Sequence, residues 1–252
     1  MARVAIVTGA TGGIGAKFVE EISKFSDIDQ VWATGRNLGK LEALASANSK
    51  VVVVEADLAT DGVDVIDNLI RNYKPDIKML VNNAGVAYMG KFEDMKCDQI
   101  EGFCNVNCTA PTKLISLALP YMHEGAKIIN VASASSFQPN PYLTMYSATK
   151  VYLKNFSRAL NMELKNRGIS VTCSCPYWVD TGMLPREKDG KKINYPGMVS
   201  VDKVVNKALR DSKAGREMSV PGFFANYFRI YSKLTPTAIV MRQWITGIKK
   251  YL

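Results

Sequence analysis

The chain has 252 residues, 47% apolar and 22% charged, which suits one large core in one domain. No apolar run nears the roughly 18 residues of a membrane span, and the first such run is four residues long and ends in glycines, so neither a span nor a signal peptide is expected. The single histidine, His123, argues against hydrolytic triads and histidine-ligated zinc, and the net charge of +9 comes without a recognition motif for nucleic acid.

In chain order, Val4 to Val7 is a β-branched run suited to a buried parallel strand, and "AKFVEEISKF" after Gly15 has helical apolar spacing. Between them lies "TGATGGIG", Thr8 to Gly15, with four glycines in seven residues. A strand, a glycine turn and a helix start aim backbone N–H groups and the positive end of a helix dipole at one spot, where missing side chains let phosphates approach. Gly9, Thr11, Gly12, Gly13, Ile14 and Gly15 are therefore candidate dinucleotide contacts, with an ordinary glycine turn as the alternative.

Further strands are expected over 30–34, 50–56, 78–84, 126–133, 169–175 and 217–220, with helical spacing between them. This alternation predicts an α/β fold, its parallel sheet covered on both faces and its ligands beyond the carboxyl ends of the strands. Five cysteines (Cys97, Cys104, Cys108, Cys173 and Cys175) form no CxxC pair; three fall in an expected helix and two alternate in an expected strand. That pattern favours buried, reduced thiols and a cytoplasmic protein, with no metal site. His123 falls near the end of a helical stretch over 98–125, where the dipole favours a partial positive charge.

The expected strand ends carry the chemistry. "ATGRN" places Arg36 after Gly35, where a fold preferring NAD often has an acidic side chain. A cation there with no carboxylate beside it suits a 2′-phosphate; a solvated arginine is the alternative. "EADL" offers Asp57, at an adenine contact, and Leu58, while "NNAG" offers Asn83, Ala84 and Gly85. Ser133 ends the fifth strand, and thirteen residues later "YSATK" sets Tyr146 and Lys150 four apart, on one helix face. A tyrosine with a pKa of about 10 exchanges protons poorly at neutral pH until a neighbouring ammonium favours its phenolate. A chance surface pair is the alternative.

"TGATGGIG", "NNAG", Asn107, Ser133 and "YSATK" follow one another in an order and spacing that resembles the short-chain dehydrogenase/reductase family over nearly the whole chain. The resemblance implies a Rossmann-type doubly wound sheet in a single domain over 1–252, NADP(H) as cofactor, and a catalytic tetrad of Asn107, Ser133, Tyr146 and Lys150. Tyr146 and Lys150 would also hold the cofactor, Lys150 lowering the pKa of Tyr146, and Pro176, Val179 and Thr181 would join them. "NVN" offers both Asn105 and Asn107, and the following "NCTAP" matches the family pattern better at Asn107. The implied reaction is reversible, NADPH-dependent reduction of a hydrophobic ketone or 3-oxoacyl carbonyl to a secondary alcohol, in a homodimer or homotetramer paired through helices near 97–121 and 144–167. A non-catalytic NADP(H)-binding sensor or scaffold is the alternative, and the intact tetrad argues against it.

One departure bears on the substrate. Where the family commonly reads Pro-Gly, this chain has "CPYWVDTGM": Pro176 and Thr181 stand in place, but Tyr177 replaces the glycine and Trp178 follows. These aromatics, with Ser135 and Met183, are the candidate substrate contacts, and 181–199 the substrate-binding loop or helix.

The charge is concentrated at one end: residues 186–252 hold 14 Lys+Arg against 5 Asp+Glu, while 1–185 are balanced at 18 each. Within the basic, aromatic extension 221–252, Phe224, Tyr227, Phe228 and Tyr231 repeat at helical spacing. This stripe either packs on the core or a partner subunit, or walls the substrate pocket with Tyr177, Trp178 and Met183, or, least favoured, docks on an anionic membrane surface or acidic carrier.

Overall fold

The computed structural model describes residues 1–182, 184, 187–188 and 191–248. Its first half alternates β1 (Arg3–Val7), α1 (Gly13–Ser23), β2 (Gln30–Gly35), α2 (Leu38–Ala47), β3 (Val51–Glu55), α3 (Gly62–Tyr73) and β4 (Asp76–Asn82). There follow α4 (Cys97–Cys104), α5 (Ala110–Ala118), β5 (Lys127–Val131), α6 (Thr144–Glu163) and β6 (Ser170–Ser174). Two antiparallel two-residue strands, β7 (Glu187–Lys188) and β8 (Lys191–Lys192), precede α7 (Val201–Lys213), β9 (Met218–Ser219), α8 (Phe223–Leu234) and α9 (Thr237–Ile248). Among the described residues the main sheet has seven strands, all parallel, in the order β3-β2-β1-β4-β5-β6-β9. The expected strand over 217–220 shrinks to the two residues of β9, at the sheet edge.

The β-branched runs form central strands because they are buried on both faces. Alternation sends Val4 and Ile6 to one side, against Ile66, Ile70, Leu114 and Ile115, and Ala5 and Val7 to the other, against Phe18, Ile22 and Val205. The order reverses between β1 and β4, so the crevice beyond their carboxyl ends is where a doubly wound sheet takes its ligand.

Three sequence expectations are corrected here. Cys97, the first residue of α4, is exposed, whereas Cys173 and Cys175 are buried in β6 and just after it. His123 lies beyond the last helical turn, exposed, and its backbone carbonyl accepts a bond from Ala126 N in the turn to β5. The cation that reaches the helix end is Arg167, whose Nη2 donates to the Leu119 and Met122 carbonyls at 2.8 and 3.1 Å. Third, β4 begins at Asp76, two residues earlier than expected, because its edge pairs with Arg3 at the start of β1.

Candidate active site

The glycine loop is held by its neighbours as much as by its own freedom. Gly9 has φ +63, and a Cβ there would stand 2.8 Å from Ala84 Cα; a Cβ on Gly15 would stand 2.1 Å from the Gly9 carbonyl oxygen and 2.6 Å from Asn83 Nδ2. These two glycines let the loop at the end of β1 press against "NNAG" at the end of β4. Thr8 closes the contact: its Oγ1 accepts from Asn83 N and Ala84 N at 3.0 Å each, and Asn83 Nδ2 donates to the Thr8 and Gly9 carbonyls at 3.0 and 3.1 Å. In the sequence Thr8 is only the first residue of the motif, and nothing local there signals this role.

Gly12 and Gly13 are the exposed pair. Helix α1 starts at Gly13 with no side-chain cap from Gly12, which leaves its first-turn N–H groups and dipole facing outward, the donor set a phosphate fits. Thr11 rests on Gly35 at the end of β2, and Ile14 packs against the cluster of Val179, Val199 and Val204. Thr181 Cγ2 stands 3.3 Å from where a Gly13 Cβ would lie, so the segment from Pro176 to Thr181 passes over the loop. Val179 pairs with Val199, and the Pro176 carbonyl accepts from Ala134 N at 2.7 Å.

Arg36 and Asp57 meet, which corrects the expectation of a cation with no carboxylate beside it. Their side chains stand 3.8 Å apart, 69% and 38% exposed. The reason is register: Gly35 and Glu55 are paired across β2 and β3, so the residues just beyond are neighbours. Asp57 Oδ1 also accepts from Ala59 N, whereas the Leu58 side chain belongs to the core.

The four tetrad residues come from three elements. A π-turn over Asn105–Thr109 joins α4 to α5, and Pro111, four residues after Asn107, cannot supply the N–H that would close an α-turn on the Asn107 carbonyl. Asn107 is buried; its Oδ1 accepts from Val86 N at 2.9 Å, and its Nδ2 donates to the Val86 carbonyl and Thr149 Oγ1 at 3.0 and 3.1 Å. Asn105 points elsewhere, to the Ala59 carbonyl. Lys150 Nζ donates to the Val131 carbonyl at 2.9 Å and lies 5.6 Å from the Tyr146 ring centre. A Cβ on Gly85 would stand 3.3 Å from both Asn107 Oδ1 and Lys150 Nζ, so "NNAG", the π-turn and α6 converge. The position of α6 is set in part by a buried chain from Asn82 Nδ2 to Asn130 Oδ1 and from Asn130 Nδ2 to Ser157, at 2.8 Å each.

The electrostatics differ from the sequence expectation. Burial raises the Tyr146 pKa, and the Ser133 side chain only partly offsets this; burial likewise pulls Lys150 down to about 8. Both charged forms are disfavoured by the same loss of water. Ser135 N donates to Ser133 Oγ at 3.1 Å, beside the tetrad.

A cavity of about 310 Å³ is lined by Gln138, Tyr177, Trp178, Phe228, Tyr231 and Trp244, among others. Tyr177 stacks on Phe228 at 5.1 Å and on Phe224 at 6.1 Å, and Trp244 Nε1 donates to the Pro141 carbonyl. The aromatic stripe therefore splits: Phe228 and Tyr231 line the cavity, Phe224 stacks on Tyr177 with 39% of its surface exposed, and Tyr227 lines the cavity rim and is 48% exposed. Gln138 and Gln243 put amide side chains on the cavity wall. Gln138 is buried, and its Oε1 finds no hydrogen-bond partner among the described residues. Met183 lies outside the described residues, as does part of the expected loop 181–199.

The human protein named inactive hydroxysteroid dehydrogenase-like protein 1 is 34% identical over 190 residues, covering 72% of this chain and 57% of the relative. The very-long-chain 3-oxoacyl-CoA reductase of Anas platyrhynchos is 34% identical over 194 residues, covering 71% and 60%. The matched part thus spans under two thirds of either relative. A short-chain dehydrogenase from Sphingobium yanoikuyae, solved in complex with NADPH, superimposes with a TM-score of 0.76 at 26% identity, over 86% of this chain and 87% of that one. The short chain dehydrogenase family model matches residues 3–192, three quarters of the chain and every element from β1 to the β7–β8 strand pair, and with the glycine loop, "NNAG" and the α6 tyrosine and lysine assembled at one crevice, the chain belongs to the short-chain dehydrogenase family of oxidoreductases.

Proposed function

We propose that this chain is an NADP(H)-dependent reductase of hydrophobic ketones or 3-oxoacyl groups. The observation that carries the reading is the convergence of Asn107, Ser133, Tyr146 and Lys150 beside Gly85, next to an uncapped helix start and an exposed Arg36. These residues fit the cofactor: the first-turn N–H groups of α1 suit its pyrophosphate and Arg36 its 2′-phosphate. NADPH, when bound, supplies the hydride. Ser133 and Tyr146 hydrogen-bond the substrate carbonyl oxygen, stabilising charge as it develops, and Tyr146, whose pKa desolvation raises, donates the proton. Lys150 holds the ribose hydroxyls, and Asn107 fixes the turn that positions Thr149 and α6.

The aromatic cavity supports an apolar substrate, with the Gln138 and Gln243 side chains on its wall. The 3-oxoacyl-CoA reductase relative points the same way. A second reading, a non-catalytic NADP(H) binder, draws on the relative named inactive, and the intact tetrad speaks against it. Helices α4, α5 and α6 are the proposed pairing surface of a homo-oligomer; Tyr152 and Met162 are exposed on α6. Among the described residues no helix is long and apolar enough to cross a membrane. NADPH oxidation followed by absorbance, with hydrophobic ketones and 3-oxoacyl thioesters, tests the reading. Turnover should fall at least roughly a hundredfold in Tyr146→Phe with NADPH affinity little changed. Binding of NADPH without turnover on any carbonyl would favour the non-catalytic reading.

A further inference from the structure

Helix α8 has two apolar faces, and only one is covered. Phe224, Phe228 and Tyr231 face Tyr177 and Gln243, to which Tyr231 donates a hydrogen bond. The other face carries Phe223, Tyr227, Ile230 and Leu234 at i, i+4, i+7 and i+11, one helical stripe. Phe223 is 77% exposed, Ile230 60% and Leu234 80%. Four large apolar side chains in a row are more than a water-facing helix normally shows, and such a patch marks an interaction surface.

Charge identifies the occupant. Residues 218–252 contain five Lys+Arg and no Asp or Glu. Among the described residues none of Arg229, Lys233 and Arg242 forms an ion pair, and Lys233 and Arg242 are exposed. A second copy of this chain, packed stripe to stripe about a two-fold axis, would bring this acid-free segment against itself and set its cations together. A bilayer bearing anionic headgroups meets both needs, since rings and aliphatic chains enter the headgroup–acyl boundary while the cations reach lipid phosphates. We propose that α8 docks on an anionic lipid bilayer through Phe223, Tyr227, Ile230 and Leu234, with Arg229, Lys233 and Arg242 on the headgroups. Tyr227 belongs both to this stripe and to the wall of the aromatic cavity, so the docked face borders the cavity.

The test is co-sedimentation of the full chain with vesicles of phosphatidylcholine and phosphatidylserine in roughly a 3:1 ratio, and with phosphatidylcholine alone, at low and high salt. The expected result is binding to the anionic vesicles, weakened by salt. Phe223→Ser/Ile230→Ser/Leu234→Ser should cut the partition coefficient by about tenfold or more, with the melting temperature unchanged because all three side chains are exposed. Lys233→Glu/Arg242→Glu, which leaves the apolar stripe intact, should weaken binding by about tenfold as well. Absence of binding to anionic vesicles, or binding that survives both variants, overturns the proposal. So does a wild-type dimer in sedimentation velocity that the triple variant converts to monomer without any vesicle binding, which would assign the face to a second copy. The readout is lipid binding, so this result is independent of whether the reductase reading holds.

Discussion

Arg36 Nη1 stands 3.8 Å from Asp57 Oδ2 where β2 and β3 end side by side, so the cation proposed to read a 2′-phosphate already has a carboxylate for company. The two attractions are unequal. An exposed pair of this kind contributes at most about 1 kcal/mol, whereas charge-assisted bonds to a phosphate contribute on the order of 1.5 to 3 kcal/mol each. Arg36→Ala should therefore raise the KM for NADPH by roughly tenfold or more while that for NADH stays unchanged. Equal changes for both cofactors in steady-state kinetics would show that Arg36 does not read the phosphate.

The glycines of the loop should separate into two kinds. Gly15→Ala puts a methyl group 2.1 Å from the Gly9 carbonyl oxygen, a collision with backbone that cannot swing aside and should cost about 2 kcal/mol or more. Gly12→Ala meets only that same oxygen at 3.6 Å, an ordinary contact, so stability should change by less than about 1 kcal/mol while NADPH affinity drops. Chemical denaturation and NADPH fluorescence titration distinguish them; equal loss of stability in both variants would refute the division.

Lys150 has a pKa pulled down to about 8 by burial, against 10.5 for the free side chain. Between those values the unfolded chain binds a proton at this site that the folded chain does not, so the site contributes stability that grows as pH rises from about 8 to 10.5 and is missing below about 8. Lys150→Met removes that dependence. The difference in urea-unfolding free energy between wild type and Lys150→Met should shift in favour of wild type from pH 7.5 to pH 10, by more than about 1 kcal/mol. Parallel pH profiles would mean that Lys150 keeps an ordinary pKa in the fold.

Phe228, stacked on Tyr177 at 5.1 Å and on the cavity wall, should act on substrate size. Phe228→Ala is expected to reduce kcat/KM on long-chain or polycyclic ketones by about tenfold more than on small ones, with NADPH affinity unchanged. If all substrates lose activity alike and the protein melts earlier, the ring is core packing.

Much of the crevice was legible because its parts are local. A strand, a glycine turn and a helix start are contiguous, and Tyr146 and Lys150 share a face through spacing alone. The β-branched runs located the strands, with errors confined to ends such as Asp76 and the short β9, where edge pairing decides the length.

What the sequence by itself determined is therefore the alternation of strands and helices, the local motifs of the crevice and the family. The tertiary structure decided every meeting between distant residues: Thr8 with Asn83 and Ala84, Asn82 with Asn130, and Arg36 with Asp57. Only strand order and register make those pairs neighbours. It also decided which cation serves the end of the central helix, Arg167 in place of His123, because the chain returns there just before β6. The stripe on α8 had no such meeting to reveal in advance. Helical spacing predicts a face, but whether it is covered depends on what packs against it, and here Tyr177 covers the line of Phe224 and Phe228 while that of Phe223, Ile230 and Leu234 stays open to solvent.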